Sequence, residues 1–116
     1  MKTWMSLLLK YVMTFVAGFL TLSLINGNSV LEVLAIALAV AALSYAVGDL
    51  LILPASNNSV AAICDGLMAA IITYIISWLW PAVTVSFLSV VIFAILIAAA
   101  EYFLHIYLMA SHEVAP

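Results

Sequence analysis

The chain has 116 residues, of which 70% are apolar and only 6% are charged: five acids against two lysines, for a formal charge of −3. A water-facing surface needs many more ionic side chains than this, so composition argues against a soluble domain. There is no basic patch to hold a nucleic-acid backbone, so no nucleic-acid partner is expected. The lone cysteine, Cys64, can form no internal disulfide and reads as a small buried hydrophobe.

The first apolar run predicts a membrane span over 5–25. It follows two lysines, as a signal peptide would, but it continues without a small-residue cleavage pattern, so a retained helix is expected. Asn26-Gly27-Asn28-Ser29 supplies a turn. A second span is predicted over 30–53 and ends at Pro54, which lacks an amide proton and clashes with a preceding helical turn. Asn58 or Ser59 is the expected cap of a third span over 60–79. Trp78 and Trp80 suit a membrane–water interface, as does Trp4. Pro81 suits the start of a fourth span over 82–106, inside an apolar run that reaches 110 and so must tilt or emerge.

A lipid medium demands that backbone polar groups be satisfied within each span, which helices achieve and open sheets do not. The expected fold is therefore all-α: a four-transmembrane-helix antiparallel bundle with short connections. It forms one integral membrane domain over 1–116, with the lipid bilayer as its main partner. Lys2 and Lys10 favour a cytoplasmic N-terminus. Four spans then return the C-terminus to the same side of the cell membrane.

Charges inside spans are costly and demand an explanation. Lys10, Thr14, Ala17 and Thr21 share one face of the first helix by their three- and four-residue spacing. Glu32, Ala35, Ala39, Ala42, Ala46 and Asp49 form the corresponding stripe on the second, where alanines permit close approach. Asp65, Ala69 and Ile72 align on the third. Ala94, Ala98, Glu101 and His105 align on the fourth, with Glu101 and His105 one turn apart. Alternating helix direction gathers Lys10, Asp49, Asp65, Glu101 and His105 in one half of the bilayer. Tyr45 lies one turn before Asp49 and is placed to donate to it. Glu32 is expected at the opposite edge, in solvent. Phe15, Phe19, Phe87 and Phe93 read as core or lipid-facing residues.

One lysine among three acids leaves its choice of partner open. A proton on another acid would lower the cost of burying it. No metal or cofactor is expected, because Asp65, Glu101 and His105 do not make a complete ligand set.

The run Tyr45-Ala46-Val47-Gly48-Asp49-Leu50-Leu51-Ile52-Leu53-Pro54, followed by Asn58-Ser59-Val60-Ala61-Ala62-Ile63-Cys64-Asp65-Gly66, resembles the YndM-like family of uncharacterised four-helix membrane proteins from bacilli. The resemblance covers most of the chain. It draws attention to Tyr45, Gly48, Asp49, Pro54, Asn58 and Asp65, and it implies no catalytic role. Members of that family commonly carry more basic loops and a charged tail than this chain has.

The chain has no phosphate-binding loop, paired cysteines or metalloprotease motif, and no serine with an evident base. An enzyme is not expected. Two functions fit the sequence: a small membrane scaffold or accessory protein held by an intramembrane polar cluster, or an oligomeric proton- or cation-coupled transporter or channel. Either could form a homo-oligomer or join a membrane protein partner.

Overall fold

The computed structural model describes residues 3–52 and 55–111, without side-chain detail at 3, 49, 50, 105 and 107–111. Four helices are long and apolar enough to cross a membrane, and they hold most of these residues. Helix α1 spans Thr3–Gly18 and runs on through a π-helical turn, Phe19–Ser23. Gly27, at φ 76°, then turns the chain. A left-handed residue there lets the amides of Gly27 and Asn28 bond the carbonyls of Ser23 and Leu22, which the helix end would otherwise leave open. Ser29 and Glu32 form a capping box that starts α2, Val30–Leu43. The helix widens into a π-helical segment, Ser44–Ile52.

Helix α3 spans Asn58–Leu79, and its cap is Asn57, not Asn58 or Ser59; the Asn57 side chain accepts from the Val60 amide. Asn58 instead donates to the Tyr102 carbonyl of the neighbouring helix, at 2.9 Å. The last helix, α4, spans Phe87–Ser111 and so starts five residues later than the 82 expected from the sequence. Pro81 sits in the turn before it. Ser86 and Ser89 supply the missing start signal, each hydroxyl accepting from the other's amide at 3.2 Å. Two serines make a better cap than a proline alone, because they satisfy open amides.

Helices α1 and α2 form one antiparallel hairpin, and α3 and α4 form the other, the most extensively packed pair in the bundle. The hairpins meet where α1 touches α4 and where α2 and its π-helical extension touch α3. Neighbours around the ring are thus antiparallel, as short connections require. The apolar core holds Ala17, Leu22, Val33, Ile36, Val40, Ala69, Phe93 and Ile97. Large apolar side chains such as Leu31, Ile63, Leu67 and Ile95 point outward, where lipid solvates them. Trp4 and Trp78 are also exposed, each near a helix end. Phe93 is core and Phe87 is exposed, while Phe15 and Phe19 pack on the core with rings 6.1 Å apart.

The stripe expected on α2 is rotated. Ala42 and Ala46 are exposed, and Ala35 and Ala39 are only partly covered; Val33, Ile36, Ala37, Val40, Ala41 and Ser44 are buried. An almost wholly apolar helix carries no amphipathic signal to orient it. The alanine stripe therefore does not mark the buried face, which mixes Ala37, Ala41 and Ser44 with Val33, Ile36 and Val40. Glu32 is 9% exposed, drawn in by the capping box instead of standing in solvent.

Candidate functional site: an ionic core between the hairpins

The face of α1 predicted from spacing is the buried one: Lys10, Thr14, Ala17 and Thr21 all lie inside. Ser6, one turn before Lys10, extends this stripe and is fully buried. The same four-residue spacing that marks Thr14 would have found it. Its hydroxyl has no hydrogen-bond partner among the described residues.

Lys10 and Glu101 meet at the seam between the two hairpins. Lys10 Nζ donates to Glu101 Oε2 at 2.5 Å, with the two side chains 0% and 1% exposed. The contact joins the first and last helices, 91 residues apart in sequence. Charge-assisted hydrogen bonds are stronger than neutral ones. Removing one member of a buried ion pair is costly, because it leaves a charge in the interior.

Asp65 is also fully buried, on α3. Gly48, in the π-helical segment, lies directly against its carboxyl group: a Cβ at residue 48 would overlap Asp65 Oδ1. Only glycine allows that approach. On the other side, Gly66 presses α3 onto α4, where a Cβ would stand 2.7 Å from the Ala94 carbonyl oxygen and 3.1 Å from Ala98 Cβ. Two adjacent residues of α3 thus face two different neighbours, and both contacts depend on glycine.

The remaining residues expected at the site divide. Tyr45 is partly buried and packs with Met13 against Leu104. The side chains of Asp49 and His105 lie outside the described residues, as do Pro54 and the tail from His112. The helix also changes pitch at Ser44, so the four-residue step that linked Tyr45 to Asp49 no longer maps onto one α-helical face.

A second polar tie closes the far end of the bundle, and sequence reasoning missed it. Asn28 donates to the carbonyls of Leu22 and Thr84, at 2.9 and 2.6 Å, and accepts from the Thr84 amide at 2.8 Å. It stitches the first connection to the third. An asparagine beside a turn glycine reads as turn chemistry, and nothing local announces a partner 56 residues away.

The surface grooves are apolar. The one between α1 and α2 is lined by Trp4, Leu7, Leu8, Tyr11, Leu38, Ala41 and Ala42. Another, between α3 and α4, is lined by Ile63, Gly66, Leu67, Ala94, Ile95 and Ala98. Neither these nor three further grooves are lined by Lys10, Asp65 or Glu101. No group of three His, Cys, Asp or Glu side chains among the described residues is placed to hold a metal ion.

These features define a small multi-span membrane protein with ionisable groups buried between its helices. The chain belongs to the family described as protein of unknown function (DUF2512), whose model matches residues 1–114. No curated protein and no solved structure matches it.

Proposed function

We propose that this protein is a non-catalytic membrane scaffold or accessory protein whose polar core locks two helical hairpins in register. The bond between Lys10 and Glu101 carries this reading, because it ties one hairpin to the other with both charges withdrawn from solvent. A hydrophobic seam in lipid has little orienting power, since the bilayer solvates apolar side chains as well as a neighbour does. A buried ion pair fixes register by making mispaired states expensive. The apolar lining of the five grooves also supports a closed lock over a conducting path.

In this reading the lipid-facing surface meets a membrane protein partner or a second copy. The termini lie on the cytoplasmic side, as the two N-terminal lysines favour. Kinship with the YndM-like proteins belongs to the same proposal and rests on the Tyr45–Pro54 and Asn58–Gly66 runs. The test is flux through purified protein in sealed phospholipid vesicles. Proton and monovalent-cation leakage should match empty vesicles and stay there in Asp65→Asn. Rapid flux that this substitution abolishes would replace the scaffold with the transporter.

A further inference from the structure

The bonds between Asn28 and Thr84 place the first and third connections side by side at the far end of the bundle. Neither 24–31 nor 78–88 holds a charged residue. The charged residue next to them in sequence, Glu32, is turned inward onto the Ser29 amide. Trp78, Leu79 and Phe87 are 79%, 79% and 77% exposed, and Leu24 and Leu31 also face outward. Ser29 and Thr84 are the only polar residues among the exposed ones in these two stretches. An end built to stand in water would not gather large apolar side chains at its rim.

The polar groups of this end point to the same medium. The amides of Leu24, Ile25, Gly27 and Asn28 donate back to carbonyls at the end of the first helix, and those of Trp80 and Val83 donate to the carbonyls of Ile76 and Trp80. The amides of Ser29, Thr84 and Ser86 are taken by the side chains of Glu32, Asn28 and Ser89. A connection in water can leave such groups to the solvent, whereas near hydrocarbon each open group is costly. Asn26 Oδ1 is the exception, a buried acceptor with no partner among the described residues, and it suits the boundary of a bilayer better than the hydrocarbon centre. The connection at the opposite end differs, since Ser56, Asn57 and Ser59 are all exposed.

We propose that the far end of the bundle sits at the headgroup–acyl boundary of its leaflet, with Trp78 and Phe87 in the lipid interface and both connections withdrawn from bulk water. A phospholipid layer is the surface it fits. An indole has an apolar body and a polar N–H, which suits that layer, and the uncharged connections offer a soluble partner no ionic contact. Water then reaches the protein chiefly at its opposite end, and a partner at the far end meets it within the membrane. This goes beyond the scaffold reading and rests only on the multi-span fold, so it and the vesicle-flux result can fail separately.

The test uses the full chain in phosphatidylcholine nanodiscs, where an aqueous reagent meets both faces. Ala82→Cys and Ser56→Cys, each combined with Cys64→Ala, are treated with a charged, membrane-impermeant maleimide. Ser56→Cys should react at least about tenfold faster, because the attacking thiolate forms readily only where water reaches it. The two rates should converge in denaturant. Depth is read independently from Trp78 alone, in the chain carrying Trp4→Phe and Trp80→Phe. Its fluorescence should be quenched by phosphatidylcholine brominated on the acyl chains near the headgroup, and little by aqueous iodide. Equal labelling of the two ends in the disc, or iodide quenching of Trp78 as strong as that of free indole, overturns the proposal by placing this end in water. Protection of Ala82→Cys without bromolipid quenching overturns it in favour of a protein cover, such as a second copy. The tryptophan measurement needs no introduced cysteine, so it decides the matter if Ala82→Cys does not fold. Circular dichroism checks the fold of each variant.

Discussion

The energetic coupling between Lys10 and Glu101 is the sharpest quantity the structure offers. Lys10 and Glu101 are 0% and 1% exposed at their side chains, so solvent screening offers no discount. Removing one member strands the other, a loss of about 3–5 kcal/mol for buried pairs in general. Lys10→Met should fall in this range at neutral pH, because it takes away the ammonium that donates to the buried Glu101 carboxylate. Glu101→Met should fall in the same range, because it takes away the carboxylate to which the buried Lys10 ammonium donates. Replacing both with methionine removes charge and countercharge together, and such exchanges are often neutral or stabilising. The double variant should therefore unfold close to the wild type, with a coupling energy of about 3 kcal/mol or more. Neutral hydrogen bonds between membrane helices average only about 0.6 kcal/mol, so the two cases are well separated. The assay is reversible unfolding in bicelles, by steric trapping or denaturing detergent, of the wild type, both single variants and the double variant. A coupling below about 1 kcal/mol would refute the claim that this bond holds the hairpins in register.

The same assay reads the other contacts. Gly66→Ala should destabilise by about 1–3 kcal/mol, since its Cβ would press on the Ala94 backbone and α3 and α4 must separate. Gly18→Ala should cost less, because its nearest obstacle is a Val33 methyl group at 3.0 Å, which can turn aside. Equal costs at the two glycines would contradict the packing described. Asn28→Ala should cost about 2 kcal/mol or more by stripping partners from Thr84. Amide exchange at Thr84 should accelerate while exchange in mid-α3 stays slow. Ser29→Ala should cost about 1 kcal/mol through loss of the α2 cap, and a loss within error of zero would show that tertiary contacts alone hold that helix start.

Some of this architecture was legible because the medium leaves few options. Four apolar runs in a chain with 6% charge had to become helices. On α1, four polar or small residues at helical spacing marked the inner face, because a lysine and threonines have little alternative in lipid. On α2 no such contrast existed between Val30 and Ser44, beyond the Glu32 in its cap, and the alanines proved a poor guide. The start of α4 was misplaced for a related reason: Pro81 is a strong punctuation mark, whereas the paired serines act only through a geometry that spacing barely hints at.

The ionic core was half legible, and the division has a physical basis. That Lys10 and Glu101 share a level follows from helix direction and depth, which a linear sequence encodes. Which acid Lys10 meets depends on the rotation of each helix and on backbone distance, and those are set by residues that carry no charge. Gly48 brings the π-helical backbone against Asp65, while Gly66, next in the chain, brings α3 against α4. Asp65 is therefore placed by the absence of two side chains as much as by its own charge. The arrangement links charge placement to packing: a methyl group at residue 48 should displace the Asp65 carboxyl even though no ionisable atom has changed.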